Sequence, residues 1–168
     1  MFQRIIPAVF LMLAAQFAFA GKIVVFDHEQ AIMATDIAKQ KVDKLKAEAS
    51  YAQLLAQGES LRADLEALAK ELNSKGMTWD ENKRAEHRKK MEYIQADLKL
   101  ASQKIQAENQ AVMQEIGGAV QPILEEVLKN YIEANSIDMV FKKQATYMAA
   151  PAVDITPQIV EALNKAKK

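Results

Sequence analysis

What most limits the fold of this chain is a pair of heptad-patterned runs separated by a short polar break. Tyr51, Leu54, Gly58, Leu61, Leu65, Leu68 and Leu72 recur at alternating steps of three and four. That is the spacing of a coiled-coil seam, in which one narrow apolar stripe faces a partner helix. Met91, Ile94, Leu98, Ala101, Ile105, Glu108 and Val112 follow the same rule. Between the runs lies Asn73-Ser74-Lys75-Gly76, where Gly76 is expected to supply a left-handed C-terminal cap. Thr78-Trp79-Asp80-Glu81 matches a capping box for the second helix. Two such helices of roughly 30 residues, about 45 Å each, joined by a short turn make an antiparallel hairpin. A stripe this narrow is less than a globular helix buries, so the hairpin is expected to project as an arm rather than join a bundle. Upstream, Val42, Leu45, Ala49 and Ala52 keep the spacing in a shifted frame, which reads as a stutter. Gly58 stands on the seam and costs about 1 kcal/mol against alanine. With Glu108 interrupting the second seam, it is read as a point of arm flexibility.

The two ends pattern differently. Lys22 to Asp27 is a β-branched and aromatic run, so a strand, and His28 to Gln40 reads as a helical lead-in. Gly117-Gly118 is expected to end the arm. A denser apolar helix then runs from Val120 to Ala134, with Pro122 near its first turn. Met139–Lys142 and Thr146–Ala149 read as strands, and Thr156 as the cap of a last helix with Pro157 at its first position. The expected class is α+β: a small β-sheet body from residues 21–41 and 117–168, with the hairpin arm, 42–116, inserted. A body of roughly 75 residues is marginal alone, and about three short strands leave edges unpaired. Both facts predict an oligomer joined through the body, with Ile23, Val25, Met139 and Phe141 in its core.

The first residues carry an address. Arg4 precedes an apolar run, Ile5 to Leu13, and Ala18-Phe19-Ala20 is a small-x-small exit. This reads as a secretory signal peptide over residues 1–20, too short to span a bilayer comfortably, which takes roughly 20 apolar residues. The chain has no cysteine, which removes disulfides and thiolate chemistry. Its 22 basic and 22 acidic residues balance, against general nucleic-acid binding. Asp27-His28-Glu29 is the one cluster that invites a metal or acid–base reading, but on a strand His28 points away from its neighbours. His87 lies far off on the arm. No catalytic residue, metal site or cofactor is assigned.

The hairpin tip is the most charged stretch. Lys75, Lys83, Arg84, Arg88, Lys89 and Lys90 face Asp80, Glu81 and Glu86, a net charge of plus three. Such a cluster is either a solvated helix face or a landing patch for clients or anionic lipid head groups. Trp79, the sole tryptophan, either touches clients or covers the hairpin end against Leu72 and Met77; the covering role is preferred.

Three short motifs carry a family resemblance. Lys22-Ile23-Val24-Val25-Phe26-Asp27, Ser136-Ile137-Asp138-Met139-Val140-Phe141 and Asp154-Ile155-Thr156 resemble the first strand, the second strand and the C-terminal segment of the Skp/OmpH-like family, in that order along the chain. The resemblance implies a homotrimer with a β-structured hub and three hairpins around a cavity. It further implies an ATP-independent periplasmic holdase that binds unfolded outer-membrane β-barrel proteins before insertion. Relatives are often basic, and some carry a basic cluster proposed to bind lipopolysaccharide. This chain is neutral, and that cluster is not transferred residue by residue. The principal rival is a structural or tethering coiled coil with one folded partner. An enzyme would need a polar cluster in the body, and a DNA-binding protein a basic excess.

Overall fold

The computed structural model describes residues 21–166; the signal peptide expected over residues 1–20 lies outside them. In chain order the elements are strand β1 (Ile23–Phe26), helices α1 (His28–Met33), α2 (Asp36–Ala47), α3 (Ala49–Lys75) and α4 (Glu81–Ala134), strand β2 (Met139–Lys142) and helix α5 (Thr156–Ala166). Short 3-10 turns stand at Gly76–Thr78, Lys143–Ala145 and Pro151–Val153. The class is α+β: a small sheet with helices at one end, and a long helical hairpin leaving it.

The body forms because residues from both ends of the chain complete one core. β1 and β2 pair in parallel, Ile23 opposite Met139 and Val25 opposite Phe141. The inner face carries Val24, Phe26 and Val140. They pack with Ala31 and Ala38 of the first two helices, Ile116, Val120 and Leu124 of α4, and Ile155, Ile159 and Leu163 of the chain end. The Asp154-Ile155-Thr156 segment joins the ends. Ile155 N donates to Val25 O at 3.0 Å, and Asp27 N donates to Thr156 Oγ1 at 2.9 Å. Asp154 Oδ1 accepts from Thr156 N at 2.9 Å. Thr156 therefore does not cap α5 as expected: it is the first helical residue, and its hydroxyl serves Asp27.

Asp27 ends β1 and caps α1, accepting from Gln30 N at 2.9 Å. His28 is already helical, its ring edge-on to Phe26. The Asp-His-Glu run is thus a strand-to-helix junction. Thr35 opens α2 by accepting from Ala38 N at 3.2 Å, so the expected lead-in is two helices.

Four local expectations fail. The run from Val42 to Leu72 is interrupted at Glu48, whose extended backbone (φ −70°, ψ 124°) separates α2 from α3. Gly58, by contrast, lies within unbroken helix. Gly76 is right-handed (φ −59°, ψ −28°), and the chain leaves α3 through a 3-10 turn rather than a left-handed cap. Asp80, not Thr78, caps α4, accepting from Lys83 N at 2.7 Å; Thr78 Oγ1 donates back to Lys75 O instead. Gly117-Gly118 does not end a helix: α4 passes through both and through Pro122 for 54 residues, about 80 Å. A proline ring crowds the carbonyl four residues back, which here belongs to Gly118. The two glycines leave the preceding turn free to adjust.

Thr146–Ala149 is no strand. After the 3-10 turn at Lys143–Ala145 the chain runs irregularly, and Asp154 forms a single isolated parallel bridge with Val25 on the other side of β1. A strand needs a ladder partner, and no described segment pairs with the outer edge of β2.

Candidate functional site

The arm is built from α3 against the first part of α4. Tyr51, Gly58 and Leu68 are buried in the seam with Ala101. Leu54, Leu61 and Leu65 meet Met91, Ile94, Leu98 and Ile105 half-buried, and Leu72 is more open near the tip. The seam residues expected from the spacing therefore do come together. The break at Glu48 resets the helical phase, so Tyr51 faces inward while Ala49 and Ala52 face solvent. Tyr51 Oη donates to Asn109 Oδ1 at 3.0 Å across the hairpin. Lys41 Nζ donates to Glu115 Oε2 at 2.8 Å, tying α2 to α4, and holds that exposed carboxyl below its usual range.

A single seam leaves most of each arm helix free. Leu55, Tyr93, Leu100 and Met113 are exposed along it, scattered among charges. A groove of about 420 Å³ runs along α4 at the level of Gly58, lined by Arg62, Ser102, Ile105, Gln106, Asn109 and Met113.

At the tip, all six predicted cations are exposed. Arg84 Nε donates to Gly76 O at 3.2 Å and steadies the turn. None of Lys75, Lys83, Arg84, Arg88, Lys89 and Lys90 has an ion-pair partner within 4 Å among the described residues. Trp79 is half-buried and covers the hairpin end, but its partner is His87, with ring centroids 4.7 Å apart. Met77, expected beneath it, is 93% exposed. Trp79, His87, Leu72, Arg84, Arg88 and Met91 line a groove of about 620 Å³. His87 was set aside in the sequence, yet it is buried. The signal was present: His87 lies four residues before Met91 and so extends the second seam by one step.

The body offers a second surface. Val25 is buried, whereas Ile23, Met139 and Phe141, expected in the core of a body joined between copies, are 52%, 49% and 43% exposed in the single chain. All four lie on the sheet face opposite the helices. Tyr147 and Met148 stand open in the irregular segment that follows β2. At the sheet end, Lys143 Nζ donates to Asp154 Oδ2 at 2.7 Å. Burial raises the Asp154 carboxyl, but the hydrogen bonds from Lys143 and Thr156 outweigh it and hold it below the carboxylate range. Among the described residues there is no cluster of three metal-ligating side chains, and no helix is long and apolar enough to cross a membrane.

The family model described as "Outer membrane protein (OmpH-like)" matches residues 22–163, arm and body together. The chain belongs to the OmpH-like family. A Skp-like protein of Pseudomonas aeruginosa is 26% identical over 157 residues, covering 93% of this chain and 92% of its own. A crystal structure of an OmpH-like protein from Caulobacter crescentus aligns at 22% identity with a TM-score of 0.48, over 87% of this chain and 85% of its own. The resemblance seen in the three short motifs is thus a family relation that runs through the arm as well.

Proposed function

We propose that this OmpH-like chain is an ATP-independent holdase of the periplasm. Three copies join through their bodies, and their arms enclose unfolded outer-membrane β-barrel proteins until insertion. One observation carries the reading: a hairpin whose helices bury only a narrow seam on each other, leaving isolated apolar side chains among charges along its length. Such a surface makes many weak contacts and no tight one, which suits a chain that has no fixed shape. Barrel strands alternate apolar and polar residues, and before folding they expose surfaces that aggregate.

Two further features support it. The sheet face carrying Ile23, Met139 and Phe141 and the unpaired edge of β2 are open in one chain, a surface that neighbouring copies would cover. The chain carries no phosphate-binding loop, consistent with release by competition: the folded barrel in lipid is the more stable destination. The uncommitted tip cations are the candidate first contact for clients, or for anionic lipid or lipopolysaccharide, with no role in nucleic-acid binding.

The test is aggregation of a urea-diluted porin, followed by light scattering with and without the protein, beside sedimentation of the protein alone. Suppression near one trimer per porin, no binding of the folded porin, and a trimer mass are expected. No suppression, or binding confined to one folded partner, overturns the proposal in favour of a tether.

A further inference from the structure

His87 is a buried titratable group at the tip end of the arm seam, and its proton has no part in the proposed client binding. It is 6% exposed, and its Nε2 has no hydrogen-bond partner. A carboxylate oxygen, Glu71 Oε2 on the opposite helix of the hairpin, stands 3.9 Å away. That is too far for a hydrogen bond and close enough for an ion pair. On its other side is the Trp79 ring, with centroids 4.7 Å apart and planes at 45°.

We infer that His87 is a proton-operated clasp at the arm tip, tying α3 to α4 when it is charged and releasing them when it is neutral. In the neutral ring, a buried polar nitrogen is left without a partner, an arrangement that favours opening of the tip. Protonation makes both ring nitrogens donors. Nε2–H then points its proton toward the Glu71 carboxylate, and a small inward shift of that half-exposed side chain closes the bond. The same positive charge faces the tryptophan ring within the reach of a cation–π contact.

The other charges around the ring bound the effect. Glu81 and Glu92 of α4 line the same groove and favour the cation. Arg84 and Arg88 line it too and oppose the cation, as do Lys83 and Lys90, one helical turn away on either side. Glu71 is the only carboxylate within 4 Å of a ring nitrogen among the described residues; burial of the ring disfavours its charge, and the clasp requires the Glu71 ion pair to outweigh that cost. The ion pair exists only in the charged state; the neutral Nε2–H tautomer offers at most an ordinary hydrogen bond, weaker than the charge-assisted one. The clasp is therefore shut when the ring is charged and loosened when it is neutral, so raising the pH favours opening. Opening uncovers Trp79, Leu72 and Met91 at the end of the arm. The clasp rests on the hairpin geometry and stands whether or not the arms hold clients.

Amide hydrogen exchange of the full mature chain tests it, read as protection factors so that the intrinsic pH dependence of exchange is divided out. From pH 5.5 to 8, protection at the tip, residues 72–90, is expected to fall about three- to tenfold, the effect of one charge-assisted bond to a partly exposed carboxylate. Amides near Tyr51 and Asn109 are expected to stay level. Glu71→Gln leaves the imidazole in place and is expected to flatten the tip profile; His87→Gln is expected to do the same. A level tip profile in the unaltered protein overturns the clasp, as does a fall that persists in Glu71→Gln. His28, the chain's other histidine, lies in the body, so a change confined to α1 also counts against it.

Discussion

Gly58→Ala probes the arm at the one seam position that lacks a side chain. Gly58 is buried in the middle of α3, and its backbone is right-handed, so alanine meets no conformational penalty. A Cβ built there sits 3.8 Å from Ile105 Cδ1, ordinary van der Waals contact. Removing glycine from a helix interior gains about 1 kcal/mol, and burying one more methyl adds up to about 0.8 kcal/mol. The expected gain is therefore about 1–1.5 kcal/mol. With a urea slope of about 2 kcal/mol per molar, the unfolding midpoint rises by about 0.5 M. Far-UV circular dichroism at fixed protein concentration reads it, since the stability of an oligomer depends on concentration. An unchanged or lower midpoint refutes the reasoning, because it means the seam has no room at Gly58. The same variant tests the flexibility reading. If bending at Gly58 fits the arms to clients, Gly58→Ala protects large barrels less well than small ones. Equal protection at every size reduces Gly58 to a tolerated gap.

Other perturbations address the body and the tip. Ile159→Ala empties a fully buried position and is expected to cost about 2–5 kcal/mol in urea unfolding; a cost under about 1 kcal/mol means the position is not core. Asp154→Asn removes the Lys143 ion pair and weakens the acceptor for Thr156 N. The expected cost is about 1 kcal/mol at neutral pH, kept small because Lys143 is partly exposed. Since the folded Asp154 carboxyl is held low, its contribution is present above the unfolded carboxylate value, about 3.9, and fades as pH falls through the folded value. Melting between pH 5 and 3 should thus drop further in the unaltered protein than in Asp154→Asn. Phe141→Asp puts a charge on the open sheet face and is expected to yield monomers by sedimentation with helical content retained; an unchanged mass rules that face out as the interface. Replacing Lys83, Arg88, Lys89 and Lys90 with glutamine is expected to weaken binding to anionic vesicles most at low salt; equal binding assigns these side chains to solvation alone.

Features that depend on residues near in sequence were legible. The three-four spacing marked both arm helices and most of their contacts, because a seam is a local period. The β-branched runs marked β1 and β2 within a residue. The cation cluster at the tip was plain. Most of what was missed depends on contacts between distant segments; the cap of α4 is the local exception. Helix through Gly117, Gly118 and Pro122 is locally unfavourable by several kcal/mol. It persists because Ile116, Val120 and Leu124 of the same helix are buried against β1, α1 and α5. Thr146–Ala149 has strand-forming residues, but the described fold offers it no ladder. The cap moved from Thr78 to Asp80 because Thr78 returns its hydroxyl to Lys75.

The sequence by itself determined that a paired-helix arm rises from a small sheet, where it turns, and which charges sit at its end. Only the tertiary structure decided that one 54-residue helix runs from tip to body, that Ile23, Met139 and Phe141 share a sheet face left open by the single chain, and that His87 is enclosed between Trp79 and Glu71. The physical reason is common to all three. Periodicity says which side of an element is apolar, but burial and pairing are set by whatever the rest of the chain brings against that side.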